Sequence, residues 1–325
     1  MQSTILKNSA PSPLKDEVTN MQHLCCITVT YHPDFELLIA QLTNLPTECV
    51  KVLVDNGSGT DTVSKLKQLI TSFQNIYLLE NDQNIGLAAA INQGVKFAIT
   101  ISENPQFFLL LDQDSVPKAD SSSILVNAFL KLRQQGKPVG CVGPLLLDEK
   151  TGLTHGFHQS TSLRWTRFYP ELTDKNPVRC ANLNGSGSLF PANIFKELGG
   201  LDDDLFIDHI DTEWSFRIVS KGYQLWGIPN AIFQHNMGES SIKFWFLGWK
   251  VWPIRSAVRH QYLFRNAILL MKRPYIPKVW KFWAIIKLIM TFIIVFLYDK
   301  SRFKQIKCML IGVKMGIKSN AKLKS

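Results

Sequence analysis

The chain has no CxxC pair, no GxGxxG run, no internal repeat and no low-complexity tract. Each absence excludes a class. Six cysteines without paired spacing (Cys25, Cys26, Cys49, Cys141, Cys180 and Cys308) support neither a zinc site nor a disulfide framework. They read as free thiols in a reducing compartment. Without GxGxxG a dinucleotide-binding fingerprint is unsupported. The N-terminal stretch carries no apolar core of roughly 7–15 residues, so no signal peptide is expected there. Residues 1–23 read as a polar, flexible leader, and the chemistry is expected in the cytosol.

Acidic residues are nearly missing from one end. From Lys272 onward there are 13 Lys and Arg against the single acid Asp299, a net +12. The whole chain carries +10, so the first 271 residues sum to about −2. Such a basic tail suits nucleic acid or an anionic membrane surface. Its cations are interleaved with long aliphatic runs rather than isolated stacking aromatics, which argues against nucleic acid. Phe282 to Tyr298 is 17 residues with only Lys287 charged, flanked by Trp280, Lys278, Lys281, Lys300 and Arg302. About 20 apolar residues are needed to cross a bilayer, so the run is slightly short. Aromatic and basic flanks favour a peripheral or in-plane anchor, with a true span or a soluble core helix as alternatives.

What is present is an alternation. Short β-branched runs (CCITVTY, VKVLVD, IYLL, FFLLL) alternate with stretches of helical spacing. The order β-α-β-α-β-α-β predicts an α/β protein with a parallel, doubly wound sheet covered by helices on both faces. Ligands of such sheets sit beyond the carboxyl ends of the strands. Here those ends read Tyr31, Asp55-Asn56-Gly57-Ser58, Asn81 to Asn84 and Asp112-Gln113-Asp114, and all should line one crevice. The second half is less regular, with strands expected at Val139–Leu147, Leu183–Phe190, Gln224–Ile228 and Ala231–Gln234. Helices are expected after Pro191 and over Asp211–Lys221. Composition turns aromatic and basic after Ser240, giving a three-part division at 1–23, 24–240 and 241–325.

Asp112 and Asp114 end a buried strand, and two acids at i, i+2 can hold one divalent cation whose remaining shell comes from the ligand. The bland alternative is a solvated turn with capping acids, since Ser115 and Asp120 follow. Asp55 can accept from a ring N–H of a pyrimidine, or simply belong to an Asn-Gly turn. In NIGLAAAINQG, small residues open a helix whose N-terminus suits a diphosphate, and they equally suit close helix–sheet packing. LFIDHIDTEWSFR holds Asp208, Asp211 and Glu213, which favour a helix N-terminus or supply a general base. Asp211 is the choice for that base, because Trp214 and Ile210 are placed to desolvate it. His235 ends a strand and is a possible third metal ligand, or an ordinary polar histidine.

In order and spacing these motifs resemble glycosyltransferase family 2, and within it the bacterial rhamnosyltransferases. The resemblance rests on Thr28-Val29-Thr30-Tyr31, VDNGS, NIGLAAAINQG, LLLDQDS, NGSGSLF, LFIDHIDTEWSFR, QHNMGES and VRHQYLFRN, and covers about residues 24–270. It implies a GT-A fold, mostly parallel with helices on both faces, and a helical, membrane-associating C-terminal region. It also implies inverting transfer from a nucleotide sugar such as dTDP-L-rhamnose, with Mg2+ or Mn2+. Thr30, Tyr31 and Asp55 would hold the base; Asn84 and Gly86 would lie near ribose and diphosphate. Asp112 and Gln113 would touch the donor, and Asp112, Asp114 and His235 would ligate metal. Asp211 falls at the base position, while Ser186, Asp208, Trp214, Arg259 and Arg265 are acceptor or diphosphate candidates. The chain has Ile210-Asp211 where many relatives have Glu-Asp, so Asp208 or Glu213 could share the role. The expected acceptor is a saccharide on polyprenyl diphosphate at the cytoplasmic face of the inner membrane. UDP-galactofuranose, UDP-glucose or fucose donors remain alternatives. A sugar nucleotidyltransferase should carry a Gly- and Arg-rich loop after its first strand, where this chain has TYHPDFE. A catalytically dead membrane scaffold is opposed by the intact acids.

Overall fold

The computed structural model describes residues 21–148, 151–235, 241–245, 249–253 and 255–319. The leader through residue 20 and positions 236–240 of the QHNMGES motif lie outside the described residues. The first half runs β1 (Leu24–Thr30), α1 (Phe35–Asn44), β2 (Val50–Asp55), α2 (Thr60–Ile70), β3 (Ile76–Glu80), α3 (Leu87–Ile101) and β4 (Phe107–Asp112). Helix α1 starts where Asp34 accepts from the Glu36 and Leu37 amides at 2.9 and 3.3 Å, satisfying two orphan donors. Then come β5 (Ser115–Pro117), α4 (Ser121–Gln134), β6 (Val139–Leu147), the hairpin β7 (Phe157–Ser160) and β8 (Trp165–Phe168), β9 (Val178–Cys180), β10 (Leu189–Pro191), α5 (Ala192–Leu198), α6 (Ile210–Ser220) and β11 (Gln224–His235). A second hairpin, β12 (Ser241–Trp245) and β13 (Trp249–Pro253), precedes α7 (Ala257–Met271), α8 (Lys278–Tyr298) and α9 (Arg302–Lys318).

The main sheet has the order β3-β2-β1-β4-β10-β6-β11-β5, with β9 also on β11. Strands β1 to β4 are mutually parallel, as are β6 and β11, while β10, β5 and β9 run antiparallel to their neighbours. The sheet is therefore mixed, with its first four strands parallel as expected and the antiparallel strand β10 inserted between β4 and β6. That strand is only three residues long, not the eight of Leu183–Phe190. The Gly-rich stretch before it turns instead, with the Ser188 amide donating to the Gly185 carbonyl at 3.1 Å. The two short strands expected over 224–234 are one strand, β11, with a register irregularity between Ile228 and Ile232.

Period-two alternation explains why the central strands are apolar throughout. Ile27 and Val29 of β1 with Phe108 and Leu110 of β4 face one core, shared with α3, α5 and α6. Leu24, Cys26, Phe107, Leu109 and Leu111 face the other, shared with α1 and α4. A Cβ at Gly94 of α3 would sit 2.7 Å from the Ile27 Cγ2, so the small residues of that helix do serve close packing on the sheet.

Leu269 and Leu270 of α7, then Ile276, Trp280 and Ala284, belong to the same buried cluster as the sheet. The change of composition at residue 240 therefore marks no break in packing. Helix α9 lies against α7 so closely that a Cβ at Gly312 would come 2.2 Å from the Gln261 carbonyl. Lys272 closes its end, donating to the carbonyls of Gly316, Ile317 and Ser319 at 2.7–2.8 Å, where cations suit a helix C-terminus. Helix α8 has 21 residues, four more than the apolar run suggested, and is long and apolar enough to cross a membrane by length and composition. Only 22% of its apolar window is buried.

Candidate active site

Strand register brings the expected residues to one rim. Thr30 pairs with Asp55, Asp55 with Glu80, and Val29 with Asp112, so β3, β2, β1 and β4 release the chain at one level. The turn after β4 is pinned from beneath. Gln41, fully buried on α1, donates its amide to the carbonyls of Asp112 and Ser115 at 2.7 and 2.6 Å and accepts from the Thr28 hydroxyl at 2.8 Å. One side chain thus fixes both ends of Asp112-Gln113-Asp114 to the first strand. Gln113 adds a second tie, accepting from the Tyr31 amide at 2.7 Å and donating to the Tyr31 carbonyl at 3.2 Å. Its amide joins two strand ends rather than standing open.

Antiparallel pairing of β5 with β11 sets His235 opposite Ser115. The imidazole Nδ1 lies 2.7 Å from the Ser115 hydroxyl and 3.6 Å from an Asp114 oxygen. Ligand atoms of Asp112, Asp114 and His235 all fall within 4.8 Å of one another. Burial pushes the Asp112 carboxyl up to about 6; His235 opposes the shift, and Asp114 and Asp211 add to it. Ser186 sits beside this group, its hydroxyl accepting from the Asp112 amide at 3.3 Å.

Toward β2 the expected base pocket is a closed polar scaffold. Asp55 is fully buried and accepts from the Ser58 hydroxyl and amide at 2.6 and 2.9 Å and from Thr30 at 3.1 Å. Asn84 accepts from Asn56 Nδ2 at 3.1 Å and from the Gly86 amide at 3.0 Å. The Leu87 amide at the start of α3 donates to the Phe206 carbonyl at 2.6 Å, and a Cβ on Gly86 would clash with Phe206. The loop before α6 therefore covers part of the helix N-terminus expected for diphosphate.

That loop is strained and clamped. Phe206, Asp208 and His209 are all left-handed, with φ of 60°, 62° and 63°. Each such residue costs on the order of 1–3 kcal/mol and persists only where neighbours hold it. Asn266, fully buried on α7, supplies the clamp by directing Nδ2 to the carbonyls of Leu205, Ile207 and Asp208 at 2.7, 2.7 and 3.0 Å. The geometry then sorts the three acids. Glu213 is buried against Arg217 at 2.8 Å, Arg273 at 3.2 Å and the Tyr275 hydroxyl at 2.6 Å, which makes it structural. Asp208 meets Arg259 at 2.9 Å and Arg255 at 3.6 Å. Burial raises its carboxyl, but the two guanidinium groups outweigh that and hold it below the usual range. Both acids are thus engaged by guanidinium groups. Asp211 has no guanidinium partner among the described residues. Burial pushes its carboxyl up against the pull of the Thr212 amide, which donates to it at 2.7 Å. It also packs on the NGSGS turn, with Gly185 beside its Cβ.

Three acceptor candidates have partners within the protein. Trp214 is a core residue, 3% exposed and packed on Phe190, Phe195 and Arg217. Arg265 donates to the Asp204 carbonyl at 2.7 Å and lies over the Tyr262 ring. Arg259 holds Asp208. Gln41 and Asn266 were missed. Their signal was an amide at a core-facing helical position, Gln41 between Leu38 and Leu42, and Asn266 between Leu263 and Leu270.

The sheet is of the GT-A type. Solved structures of similar fold include GalNAc-T7 with UDP, GalNAc and Mn2+, at TM-score 0.53 and 20% identity over 66% of this chain and 44% of that one. The mannosyltransferase PcManGT from Pyrobaculum calidifontis, solved with GDP-Man and Mn2+, gives 0.52 and 15% over 91% and 87%. Residues 35–199 match the model for Glycosyl transferase family 2, and the chain belongs to that family. It is 26% identical to the dTDP-rhamnosyl transferase RfbF of Shigella flexneri, over 78% of this chain and 82% of the relative. With the N-acetylglucosaminyl-diphospho-decaprenol L-rhamnosyltransferase of Mycobacterium tuberculosis it shares 22% over 69% and 78%. It is a rhamnosyltransferase-like glycosyltransferase of this family.

Replacing Gln41 with Leu keeps the helix face apolar and strands two buried carbonyls. It is expected to cost about 1–3 kcal/mol in urea unfolding and to lower sugar transfer more than this loss alone predicts. Wild-type transfer in Gln41→Leu would show that the Asp112 turn holds without the clamp.

Proposed function

We propose that this chain is an inverting, metal-dependent transferase that moves L-rhamnose from dTDP-L-rhamnose to a saccharide on polyprenyl diphosphate, in cell-surface polysaccharide (O-antigen or capsule) synthesis. The observation that carries the reading is the pairing across one crevice of Asp211, a half-buried carboxyl with no ion pair among the described residues, with the Asp112–Asp114–His235 group. The named activities of the two rhamnosyl-transferring relatives support the donor, and the diphospho-decaprenol in one of their names supports the acceptor.

The donor set fits a divalent cation. Two carboxylates and an imidazole converge, and the Asp112 carboxyl is hard to ionise without a positive charge nearby. Oxygen-rich sets of this kind suit Mg2+ or Mn2+, with the imidazole tilting the choice toward Mn2+. Asp112, Asp114 and His235 would hold such a cation, which would supply positive charge to offset that of a leaving nucleoside diphosphate. Ser115 holds the His235 ring through Nδ1, fixing its orientation beside Asp114. Asp211 accepts the proton of the acceptor hydroxyl at its carboxylate while that oxygen attacks the anomeric carbon from the opposite face. Its depleted hydration raises its basicity toward the working pH. One displacement inverts the configuration without a covalent sugar–enzyme bond.

The outer stripe of α8 exposes Phe282, Ile285, Ile289, Ile293 and Phe296, and α9 exposes Phe303, Leu310 and Ile317 among lysines. Such faces lie in a membrane interface with basic residues at anionic headgroups. Docking at the cytoplasmic leaflet of the inner membrane raises the effective acceptor concentration.

A panel of nucleotide sugars with Mn2+, scored by nucleoside diphosphate release, tests the donor. Turnover with dTDP-L-rhamnose is expected, and turnover with UDP-sugars alone would overturn it. In the same assay Asp211→Asn should lose about 10²–10⁴-fold in kcat and keep its nucleotide affinity. Full activity would remove Asp211 from the base position. Protons and cation compete for Asp112, so Mn2+ affinity should rise with pH up to about 6 and then level, as read by electron paramagnetic resonance. An affinity independent of pH from 5 to 7 would exclude Asp112 as a ligand. Joint replacement of Ile285, Ile289 and Ile293 by Glu should abolish sedimentation with phosphatidylglycerol vesicles while the melting temperature is kept. Undiminished sedimentation would refute docking through α8.

A further inference from the structure

Lys287 stands alone as a charge within the apolar run of α8, and neither the catalytic reading nor the membrane reading uses it. Its position on the helix is informative. The buried residues of α8 are Trp280, Ala284, Thr291, Ile294 and Val295, a three-four repeat forming the stripe that faces the protein. Lys287 falls on that stripe, between Ala284 and Thr291. It is exposed nonetheless, so the inward face opens at this point onto solvent. The apolar stripe that includes Ile285, Ile289 and Ile293 lies on the opposite side.

The opening is the crevice. Lys287 is coupled electrostatically to Arg255, Arg167, Asp208 and Asp211. Helix α8 also packs on β8, which carries Arg167. Among the described residues the Lys287 ammonium makes no ion pair and no hydrogen bond. Among the described residues Arg255 shares the Asp208 carboxylate with Arg259, and Arg167 donates to the His155 carbonyl at 3.3 Å and forms no ion pair. Three cations therefore converge with less negative charge than would neutralise them. Nearby imidazoles register the excess. His155, His158 and His209 are pushed down to about 4, about 3 and about 4, first by burial and then by Arg167 or Lys287. His158 Nδ1 and His209 Nε2 are buried without partners. An open surface recess lined by His155, His158, Asn182, Asn184 and Ser186 lies beside Arg167, which donates to the His155 carbonyl.

We infer that Lys287, Arg255 and Arg167 form an anion site on the acceptor side of Asp211 that holds the diphosphate of an amphiphilic acceptor. Convergent cations without matching acids suit a phosphate group, to which each can make charge-assisted bonds. Two diphosphates could claim them, that of the nucleotide donor and that of the lipid. Placement favours the lipid. The acids acting on Lys287 are Asp208 and Asp211, whereas Asp112 answers to His235, Asp114, Asp211 and Arg259. Lys287 also rides on the helix whose other face is apolar, so a diphosphate bound there has its hydrocarbon chain beside an apolar surface.

The inference rests on the lipid-linked acceptor of the proposed function but not on the identity of the sugar, and its test uses no donor turnover. Binding of farnesyl diphosphate, farnesol and inorganic diphosphate to the full chain in detergent is measured by titration calorimetry. The wild type should bind farnesyl diphosphate about tenfold or more tighter than farnesol or inorganic diphosphate. Lys287→Gln and Arg167→Gln should each weaken farnesyl diphosphate by about tenfold, Lys287→Arg should restore most of it, and dTDP binding with Mn2+ should stay within about twofold. Unchanged farnesyl diphosphate binding in both Gln variants that melt like the wild type would overturn the site. A parallel loss of dTDP binding would overturn it too, by assigning the cations to the donor. Failure of dTDP-L-rhamnose as donor would leave these affinities untouched, so the two readings fail separately.

Discussion

The crevice depends on one buried amide. Gln41 holds the carbonyls of Asp112 and Ser115 and the hydroxyl of Thr28, and so ties the acidic turn to the strand beside it. Two carboxylates leaving a wholly apolar strand repel each other and favour water, so nothing in β4 itself would keep the turn in place. The clamp lets Asp112 and Asp114 remain close at the price of a raised Asp112 carboxyl, which a cation can relieve. His235 then reaches the pair because β5, the strand that follows the clamped turn, pairs antiparallel with β11.

Asn266 plays the matching part on the other wall. It holds three carbonyls of a loop whose residues are left-handed without being glycine. The buried pairs Arg273–Asp202 and Arg217–Glu213 brace that loop and the helix after it. Breaking such a pair from one side costs about 3–5 kcal/mol because the remaining charge is stranded. Asp208 and Glu213, its neighbours in sequence, are each held by guanidinium groups, whereas Asp211 forms no ion pair among the described residues and burial raises its carboxyl.

Much of this was legible in the sequence. Apolar runs ending in Asp55 and Asp112 located the sheet and the rim, because parallel strands buried on both faces need continuous hydrophobic residues and must shed polar ones at their ends. Asp211 was the choice from the sequence, but the pairing of Asp208 with Arg255 and Arg259 shows only in three dimensions, since they lie 47 and 51 residues further along (255 − 208 and 259 − 208). Gln41 and Asn266 looked like imperfections in apolar faces, and nothing local says which carbonyl a buried amide will find. The antiparallel β10 was hidden because NGSGSLF has the apolar end of a strand and the glycines of a turn, and the turn prevails until Leu189.

Helix α8 combines a packing face with an exposed apolar one. A helix that only anchored would be apolar around its circumference, and one that only packed would bury most of its surface. This one buries Trp280, Ala284 and Thr291 on the core side and leaves Ile285, Ile289 and Ile293 bare. The residue that fits neither description, Lys287, occupies the inward stripe where the core gives way to the crevice. A charge is tolerated in the middle of an apolar helix only where it meets water or a counter-charge. Its placement joins the surface that would meet lipid to the wall that would meet the acceptor, so that a membrane-docked chain presents its crevice to substrate at one distance from the interface.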